Sequence, residues 1–274
     1  MKAIRYERFG GPEVLQYLDL PDPAPGPRQL LIETVAIGVN FPDIRERLGI
    51  YNKAETRVGG VQLPQVGGLA VAGTVVAAGP QTSVEVGRKV VALMKKGAYA
   101  QLALAEEALC AVLDNEADNA SLAVLAGFAG QAACAHLLLQ ASTTLWPGES
   151  LLVHGAAGGV GGLAVQIAKA LGAALAVLGR YLLLGSTRGP GEPFAPRRLM
   201  TKSQALIGFY LPVFYDRPEL IGNALRFLAD GHKTGQIKSQ VDEVLPLSQA
   251  AEAHRRLESR EVRGVIVLDP TIES

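Results

Sequence analysis

The chain has 274 residues, enough for one large or two medium domains with buried cores. Its 26 basic and 26 acidic residues give a formal net charge of zero, which argues against a nucleic-acid partner held through phosphates. Two cysteines are too few for a disulfide framework, and no unbroken apolar run of about 18 residues indicates a membrane span. We therefore expect a cytoplasmic protein without a signal peptide that binds a small-molecule substrate.

The first third of the chain has the pattern of strands joined by turns. A Pro/Gly-rich loop at residues 21–29 precedes a strong strand pattern from Leu30 to Val39. An alanine-rich helix follows at residues 115–140, with Asn119 or Ser121 as the N-cap. Further strand patterns lie at residues 1–10, 70–80, 87–94 and 97–105.

The second half changes to an α/β pattern. A predicted strand at 151–153 leads into a glycine-rich turn and a helix at 163–171. Two strand patterns come next, ALAVLG at 174–179 and RYLLLG at 180–185, and the chain closes with a helix at 247–259 and a strand at 264–270. Strand, turn, helix and strand in this order are typical of an α/β layer.

The glycine-rich turn has the spacing of a dinucleotide site. Ala156-x-Gly158-x-x-Gly161 is an Ala-for-Gly variant of G-x-G-x-x-G, placed between a strand and a helix as that site requires. A diphosphate would bind the positive helix N-terminus, and the alternative is a tight strand–helix turn without a ligand. The predicted cofactor residues here are Ala156, Ala157, Gly158, Gly159, Val160 and Gly161.

The residue expected to bind the ribose is absent. An NAD site needs an acid about 20 residues further on, yet none occurs between Glu149 and Glu192. Arg180 would suit a 2′-phosphate if ALAVLG is the second strand. The alternative, slightly favoured, is that Arg180 begins a later strand.

Three blocks carry a family resemblance: GVNFPDIRERLGIY (38–51), AYAQLALAEEALCAVLD (98–114) and GESLLVHGAAGGVGGLAVQIAKALGA (148–173). With the closing segment 245–268, they resemble the medium-chain dehydrogenase/reductase superfamily, in its zinc-free quinone oxidoreductase (zeta-crystallin-like) branch. The resemblance implies an α/β fold: a GroES-like β-rich domain at 1–118 and 245–274, and a truncated Rossmann-type doubly wound parallel sheet domain at 119–244.

The same resemblance implies NADPH-dependent hydride transfer to a quinone or an α,β-unsaturated carbonyl. Asn40, Asp43, Arg47 and Tyr51 match the family's N-x-x-D-x-x-x-R-x-G-x-Y motif. By this match, Asn40 and Tyr51 line the substrate and nicotinamide pocket, and Asp43 pairs with Arg47 to shape the loop. The alternatives are a surface ion pair at i,i+4 spacing and a packing role for Tyr51.

Zinc is not expected, because the zinc-binding branch has a cysteine near Asn40 and Gly-His-Glu near Gly68-Leu69-Ala70. The four histidines lack ligand spacing, and His154 is expected to be a packing residue. Further cofactor residues by position are Gln131, where the family has threonine, and Gly185 and Ser186.

One departure from the family bears on function. Roughly fifty to sixty residues are missing after residue 173, where a doubly wound domain has strands two to four and the adenosine site. This leaves two alternatives to an NADPH-dependent reductase: a non-redox isomerase, cyclase or lyase that reuses the cleft, and an inactive binding or structural homologue. The segment 200–216 resembles the family's dimer-forming stretch, so a homodimer is also expected.

Overall fold

The computed structural model describes residues 1–52, 62–144, 153, 156, 158–172, 180–184, 205–259 and 262–272. Twelve strands and five α-helices lie within these ranges. The strands are β1 (Lys2–Tyr6), β2 (Gln16–Asp19), β3 (Gln29–Val39), β4 (Gln65–Val66), β5 (Ala70–Ala78), β6 (Lys89–Leu93), β7 (Leu102–Glu106), β8 (Cys110–Val112), β9 (Arg180–Leu184), β10 (Ala205–Phe209), β11 (Val241–Pro246) and β12 (Val265–Asp269). The helices are α1 (Phe41–Arg47), α2 (Asn119–Gln140), α3 (Gly159–Ala170), α4 (Pro218–Lys233) and α5 (Ala250–Ser259).

The first domain is built on a seven-stranded sheet ordered β11-β12-β3-β5-β6-β8, with β7 also paired to β3. The long strand β3 pairs along its length with β5, and its two ends pair with β7 and β12. A second sheet of three strands is ordered β2-β1-β4. The strand β11 was missed by the sequence patterns, and it crosses the predicted domain boundary at residues 244–245.

In the other domain, the described residues contain one sheet, the parallel pair β9–β10. Three helices accompany it, and α2 contacts both α3 and α4. The predicted strand at 151–153 and the pattern at 174–179 fall almost wholly outside the described residues. The boundaries predicted for the two domains stay predictions.

Helix α2 lies at the centre of the larger hydrophobic core and packs on β3 and β5 as well as on its neighbouring helices. Its N-cap is Asp118, which accepts a hydrogen bond from the Ser121 amide at 2.8 Å, so the predicted caps at Asn119 and Ser121 were wrong. A side chain at Gly38 would place Cβ 2.3 Å from the Ala126 carbonyl oxygen. Glycine therefore permits the close contact between β3 and α2.

By length and composition, α2 is apolar enough to cross a membrane, with a mean hydropathy of 1.8 over 18 residues. The sequence analysis did not single it out. Since 67% of that window is buried inside the protein, α2 has the surroundings of a core helix.

Candidate functional site

The predicted substrate residue Asn40 lies where β3 ends and α1 begins. Its backbone N–H donates to Asp43 Oδ2 at 2.7 Å, and its carbonyl accepts from the Asp43 amide at 3.0 Å. The side chain is only 7% exposed, and its Oδ1 has no hydrogen-bond partner among the described residues. A buried amide oxygen without a partner is suited to a donor on a bound molecule, because leaving it unsatisfied costs free energy.

Asp43 belongs to a buried hydrogen-bonded chain. Its Oδ2 accepts from Tyr99 Oη at 3.0 Å, and Tyr99 Oη lies 2.9 Å from His254 Nε2. When Tyr99 donates to Asp43, His254 Nε2 must carry the ring proton. Burial raises the pKa of Asp43 to about 7, although both hydrogen bonds oppose that shift. Burial also lowers the pKa of His254 to about 3, so its ring is neutral.

The predicted pairing of Asp43 with Arg47 is wrong. Arg47 instead forms an ion pair with Glu258 of α5, and Asp43 accepts a hydrogen bond from Tyr99. The alternative of a surface pair is also wrong, because Asp43 is 4% exposed and Arg47 only 1%. Both side chains lie on the buried face of α1, and they join that helix to different parts of the first domain.

Glu46, which was not among the predicted site residues, is half-buried on α1. Burial raises its pKa to about 8, and the nearby charge of Asp43 adds to the shift. Gln65 Nε2 lies 3.4 Å from its Oε2 and donates to Tyr6 Oη at 3.1 Å. The i,i+3 spacing of Asp43 and Glu46 was a signal that two carboxyl groups share a region of the helix.

Tyr51, in the short helix Ile50–Asn52, meets the second domain through an aromatic contact. Its ring centroid lies 6.4 Å from that of Tyr210, the residue after β10. The guanidinium carbon of Arg45 lies 5.7 Å from the centroid of the Tyr51 ring. Burial raises the pKa of Tyr51 to about 12. Since open α/β sheets bind ligands at the carboxyl ends of their strands, Tyr51 lies at the edge where a ligand is expected.

Helix α3 begins at Gly159, within the predicted glycine motif and four residues before its predicted start at residue 163. Gly158 is its N-cap and offers no capping side chain. Gly158 and Gly159 are exposed, and the first amides of a helix have no acceptor within it. Gln131 of α2 reaches this turn: a Cβ on Gly159 would lie 3.1 Å from its Cγ, and its Oε1 is buried without a described partner. Exposed, uncapped amides fit a diphosphate.

The remaining members of the motif are only partly described. Ala156 is an exposed turn residue whose carbonyl oxygen would lie 3.3 Å from a Cβ on Gly162. Val160 and Gly161 are half-buried in the first turn of α3. Ala157, His154, Gly185 and Ser186 lie outside the described residues, so their roles stay predictions.

Arg180 is the first residue of β9, next to Ala205 of β10 in the parallel register. This agrees with the interpretation that Arg180 begins a later strand. Because it stands at the amino end of β9, its position does not favour contact with a ligand at the carboxyl ends. Its cofactor role stays a prediction.

A cavity of about 390 Å³ lies apart from these residues. It is lined by residues such as Met1, Gln29, Met94, Lys95 and Glu106. None of the predicted site residues lines it.

Comparison with known proteins settles the family. A family model described as "Alcohol dehydrogenase GroES-like domain" matches residues 26–147, and one described as "Zinc-binding dehydrogenase" matches 155–268. A curated pig (Sus scrofa) quinone oxidoreductase is 30% identical, in an alignment that covers 98% of this chain and 97% of that protein. The chain belongs to the quinone oxidoreductase family. The predicted superfamily, its GroES-like domain and the α/β fold are therefore confirmed.

Other family members match over a shorter range. The quinone oxidoreductase of Pseudomonas aeruginosa is 40% identical over 178 residues, which cover 64% of this chain and 51% of that protein. In this and most of the other curated matches, the chain spans about half of the relative's length. The pig alignment runs over 335 positions although this chain has 274 residues, so the relative carries a segment that this chain lacks.

Solved structures of the quinone oxidoreductase family superpose over nearly the whole chain. A mycobacterial quinone oxidoreductase gives a TM-score of 0.86 at 30% identity, covering 98% of this chain and all of that one. A second structure, titled as a mycobacterial protein complexed with NADPH, gives 0.83 at 30% identity, with coverage of 98% and 100%. The comparisons support the oxidoreductase class, and none of them favours the non-redox or inactive alternatives.

Proposed function

We propose that the protein is an NADPH-dependent oxidoreductase that transfers hydride to a quinone or an α,β-unsaturated carbonyl. The observation that carries this proposal is the exposed, uncapped N-terminus of α3, with Gln131 against it. The relatives named quinone oxidoreductase and the mycobacterial NADPH complex support the choice of cofactor and acceptor.

In this proposal, different residues bind the cofactor and the acceptor. The amides at Gly159–Gly161 hold the diphosphate, while Asn40 and Tyr51 orient the acceptor. NADPH, when bound, supplies the hydride. Because the pKa of Tyr51 is raised to about 12, its hydroxyl keeps its proton at neutral pH and can donate a hydrogen bond to the acceptor oxygen.

The proposal does not include zinc. In the described part of the chain, no three His, Cys, Asp or Glu side chains lie close enough to hold a metal ion. Asn40 and Gly68-Leu69-Ala70 stand near the positions where the zinc-binding branch has a cysteine and Gly-His-Glu, and leucine and alanine side chains cannot coordinate a metal.

Partners and location also belong to this proposal. A small-molecule acceptor, without a nucleic acid or a membrane, agrees with a net charge of zero and with the burial of α2. The location proposed is the cytoplasm. The assembly proposed is a homodimer, which residues 205–216 support: among the described strands β10 pairs only with β9, and the following Val213 is 57% exposed. Gel filtration at the mass of a monomer would contradict the dimer.

Replacing Gly158 by a negatively charged residue tests the proposed function. Its backbone is extended, with φ −84° and ψ 166°, as an N-cap residue requires. Asp and Asn both cap helices well, so Gly158→Asp and Gly158→Asn should fold equally. The aspartate repels a diphosphate, and we expect it to weaken NADPH binding about tenfold more than the asparagine does. Titration calorimetry with NADPH and NADH measures the affinities.

The companion assay follows the nicotinamide absorbance with a quinone acceptor. NADPH consumption by the wild type, reduced in Gly158→Asp beyond the loss in Gly158→Asn, supports the function. If the wild type binds neither NADPH nor NADH at millimolar concentration, the reductase proposal fails. Equal affinities of the two variants would place the diphosphate elsewhere.

A further inference from the structure

Arg45 faces a different environment from its neighbours on α1. It is half-buried, and its guanidinium lies over the ring of Tyr51. Its Nε is shielded from water and has no hydrogen-bond partner among the described residues. Because Arg presents five donors and cannot lose its charge in a protein, such a side chain is suited to an acceptor group on a ligand.

The described residues nearby do not neutralise Arg45. Glu258 forms its ion pair with Arg47, and Asp43 is engaged by Tyr99. Glu46, the next residue along the helix, is within hydrogen-bond distance of Gln65, and its pKa of about 8 leaves it mostly protonated at neutral pH. The positive charge of Arg45 is therefore not cancelled within the described part of the site.

The aromatic residues beside Arg45 define a surface for a flat molecule. The ring of Tyr51 contacts both other members of the group: its centroid lies 5.7 Å from the guanidinium carbon of Arg45 and 6.4 Å from the ring centroid of Tyr210. Tyr210 directly follows the carboxyl end of β10. The rings of Tyr51 and Tyr210 are tilted by 59° to each other, so a planar molecule can pack face-on against one and edge-on against the other while an anionic substituent reaches the guanidinium.

We propose that Arg45, Tyr51 and Tyr210 form a subsite that selects planar acceptors carrying a negative charge, such as a carboxylate or a sulfonate. Arg45 is then a specificity-determining residue rather than a catalytic one. The identity of the ligand as a redox acceptor rests on the proposed function. The anion preference itself rests on the geometry of these three side chains.

The kinetic test compares naphthoquinone sulfonate with the neutral parent naphthoquinone in the NADPH-supplemented enzyme. For Arg45→Gln we expect kcat/KM to fall about tenfold or more for the sulfonate and less than about threefold for the neutral quinone. Arg45→Lys keeps the charge but loses the planar group, so its loss should be intermediate. Arg226→Gln is the matched control, because Arg226 is exposed on α4 and bonds to Asn223.

A binding test does not depend on catalysis. Naphthalene sulfonate and naphthalene sulfonamide differ in charge but have similar shape, and neither is reduced. Calorimetry should show that the wild type prefers the sulfonate, and that Arg45→Gln loses this preference while Arg226→Gln keeps it. Thermal melting of each variant verifies that it is folded.

The outcomes separate the two proposals. If the wild type binds neither NADPH nor NADH but its preference for the naphthalene sulfonate depends on Arg45, the proposed function fails and the anion subsite stands. If quinones are reduced with no charge preference, or if neither sulfonate is favoured, the subsite is overturned. A loss of NADPH affinity in Arg45→Gln, without a change in acceptor preference, would assign Arg45 to a cofactor phosphate and would also overturn it.

Discussion

The two sides of α1 show how one short helix serves two purposes. Its inner side carries Asp43, Ile44 and Arg47, all less than 5% exposed and packed against the first domain. Its other side carries Arg45, which contacts Tyr51 beside the second domain. The spacing of 43, 44 and 47 is that of one helical face. Polar groups on the inner side meet protein partners, whereas Arg45 offers its charge to a ligand.

Residue type alone therefore does not distinguish a charged side chain that stabilises the fold from one that is available to a ligand. Arg45 and Arg47 are two residues apart but have different surroundings. Arg47 is buried and forms an ion pair with Glu258, whereas Arg45 lies over the ring of Tyr51. Substitutions on the inner side should therefore reduce stability, and those at Arg45 should change recognition. Unfolding measurements on variants of both sides test that division.

Arg47→Gln should destabilise the protein by about 3 kcal/mol, because it removes one partner of a largely buried ion pair and shortens a closely packed side chain. Arg45→Gln should cost less than about 1 kcal/mol, since its contact with Tyr51 is partly exposed. Urea unfolding measures both. If Arg47→Gln and Arg45→Gln lose equal free energy of unfolding, the two sides of α1 do not differ in their contribution to stability.

Tyr99→Phe should cost about 2 kcal/mol, because His254 Nε2 and Asp43 Oδ2 each lose a buried partner. Tyr6→Phe is the matched control: Tyr6 is equally buried but accepts one hydrogen bond, from Gln65, so about 1 kcal/mol or less is expected. Denaturant unfolding of both variants measures the costs. A loss for Tyr99→Phe no larger than that for Tyr6→Phe would mean that the buried chain adds little to stability.

Asp43→Asn should change how stability depends on pH. The folded pKa of about 7 lies above the ordinary value of 3.8, so the unfolded chain releases this proton first as pH rises. The wild type therefore loses stability between about pH 4 and 7, and the asparagine variant escapes this loss. The difference in unfolding free energy, variant minus wild type, should rise by about 2 kcal/mol from about pH 5 to 7.

The neutral ring of His254 does not disturb this comparison. Its lowered pKa makes the fold lose stability as pH falls from 6.5 towards 3, but this contribution is shared by both proteins and cancels in the difference. Asp114→Asn is the control, because its exposed carboxyl is paired with Lys233 and its pKa is lowered, so the difference should change in the opposite direction and by less. If the difference in unfolding free energy between Asp43→Asn and the wild type does not change with pH, Asp43 has an ordinary pKa in the folded protein.

Local patterns predicted much of the fold correctly. The strand at residues 30–39 and the long helix ending at Gln140 agree with β3 and α2, because alternation and helical spacing follow from burial on one face. The start of α3 was placed late, since Gly159–Gly162 have weak helix propensity and form a first turn against α2. The strand β11 was missed because only its pairing with β12 makes it a strand.

The candidate site was predicted in part. Asn40 and Tyr51 were chosen by the family motif and Gln131 by its position, and their roles stay predictions; the structure places Asn40 at the start of α1, Tyr51 beside Tyr210 and Gln131 against Gly159. Arg45, Glu46, Tyr99 and His254 were not chosen for the site, because no local pattern shows that positions 43, 99 and 254 meet in one buried chain.

The family, the strand β3, the helix α2 and the glycine turn that begins α3 could be predicted from the sequence, since these depend on local spacing and on recognisable motifs. The partners of the charged residues on α1 depend on the tertiary structure. Asp43 and Arg47 have the spacing of an ion pair, yet each interacts with a residue distant in sequence: Asp43 with Tyr99 and Arg47 with Glu258. A buried charge is held by the groups that packing brings within reach, and packing is a property of the whole fold.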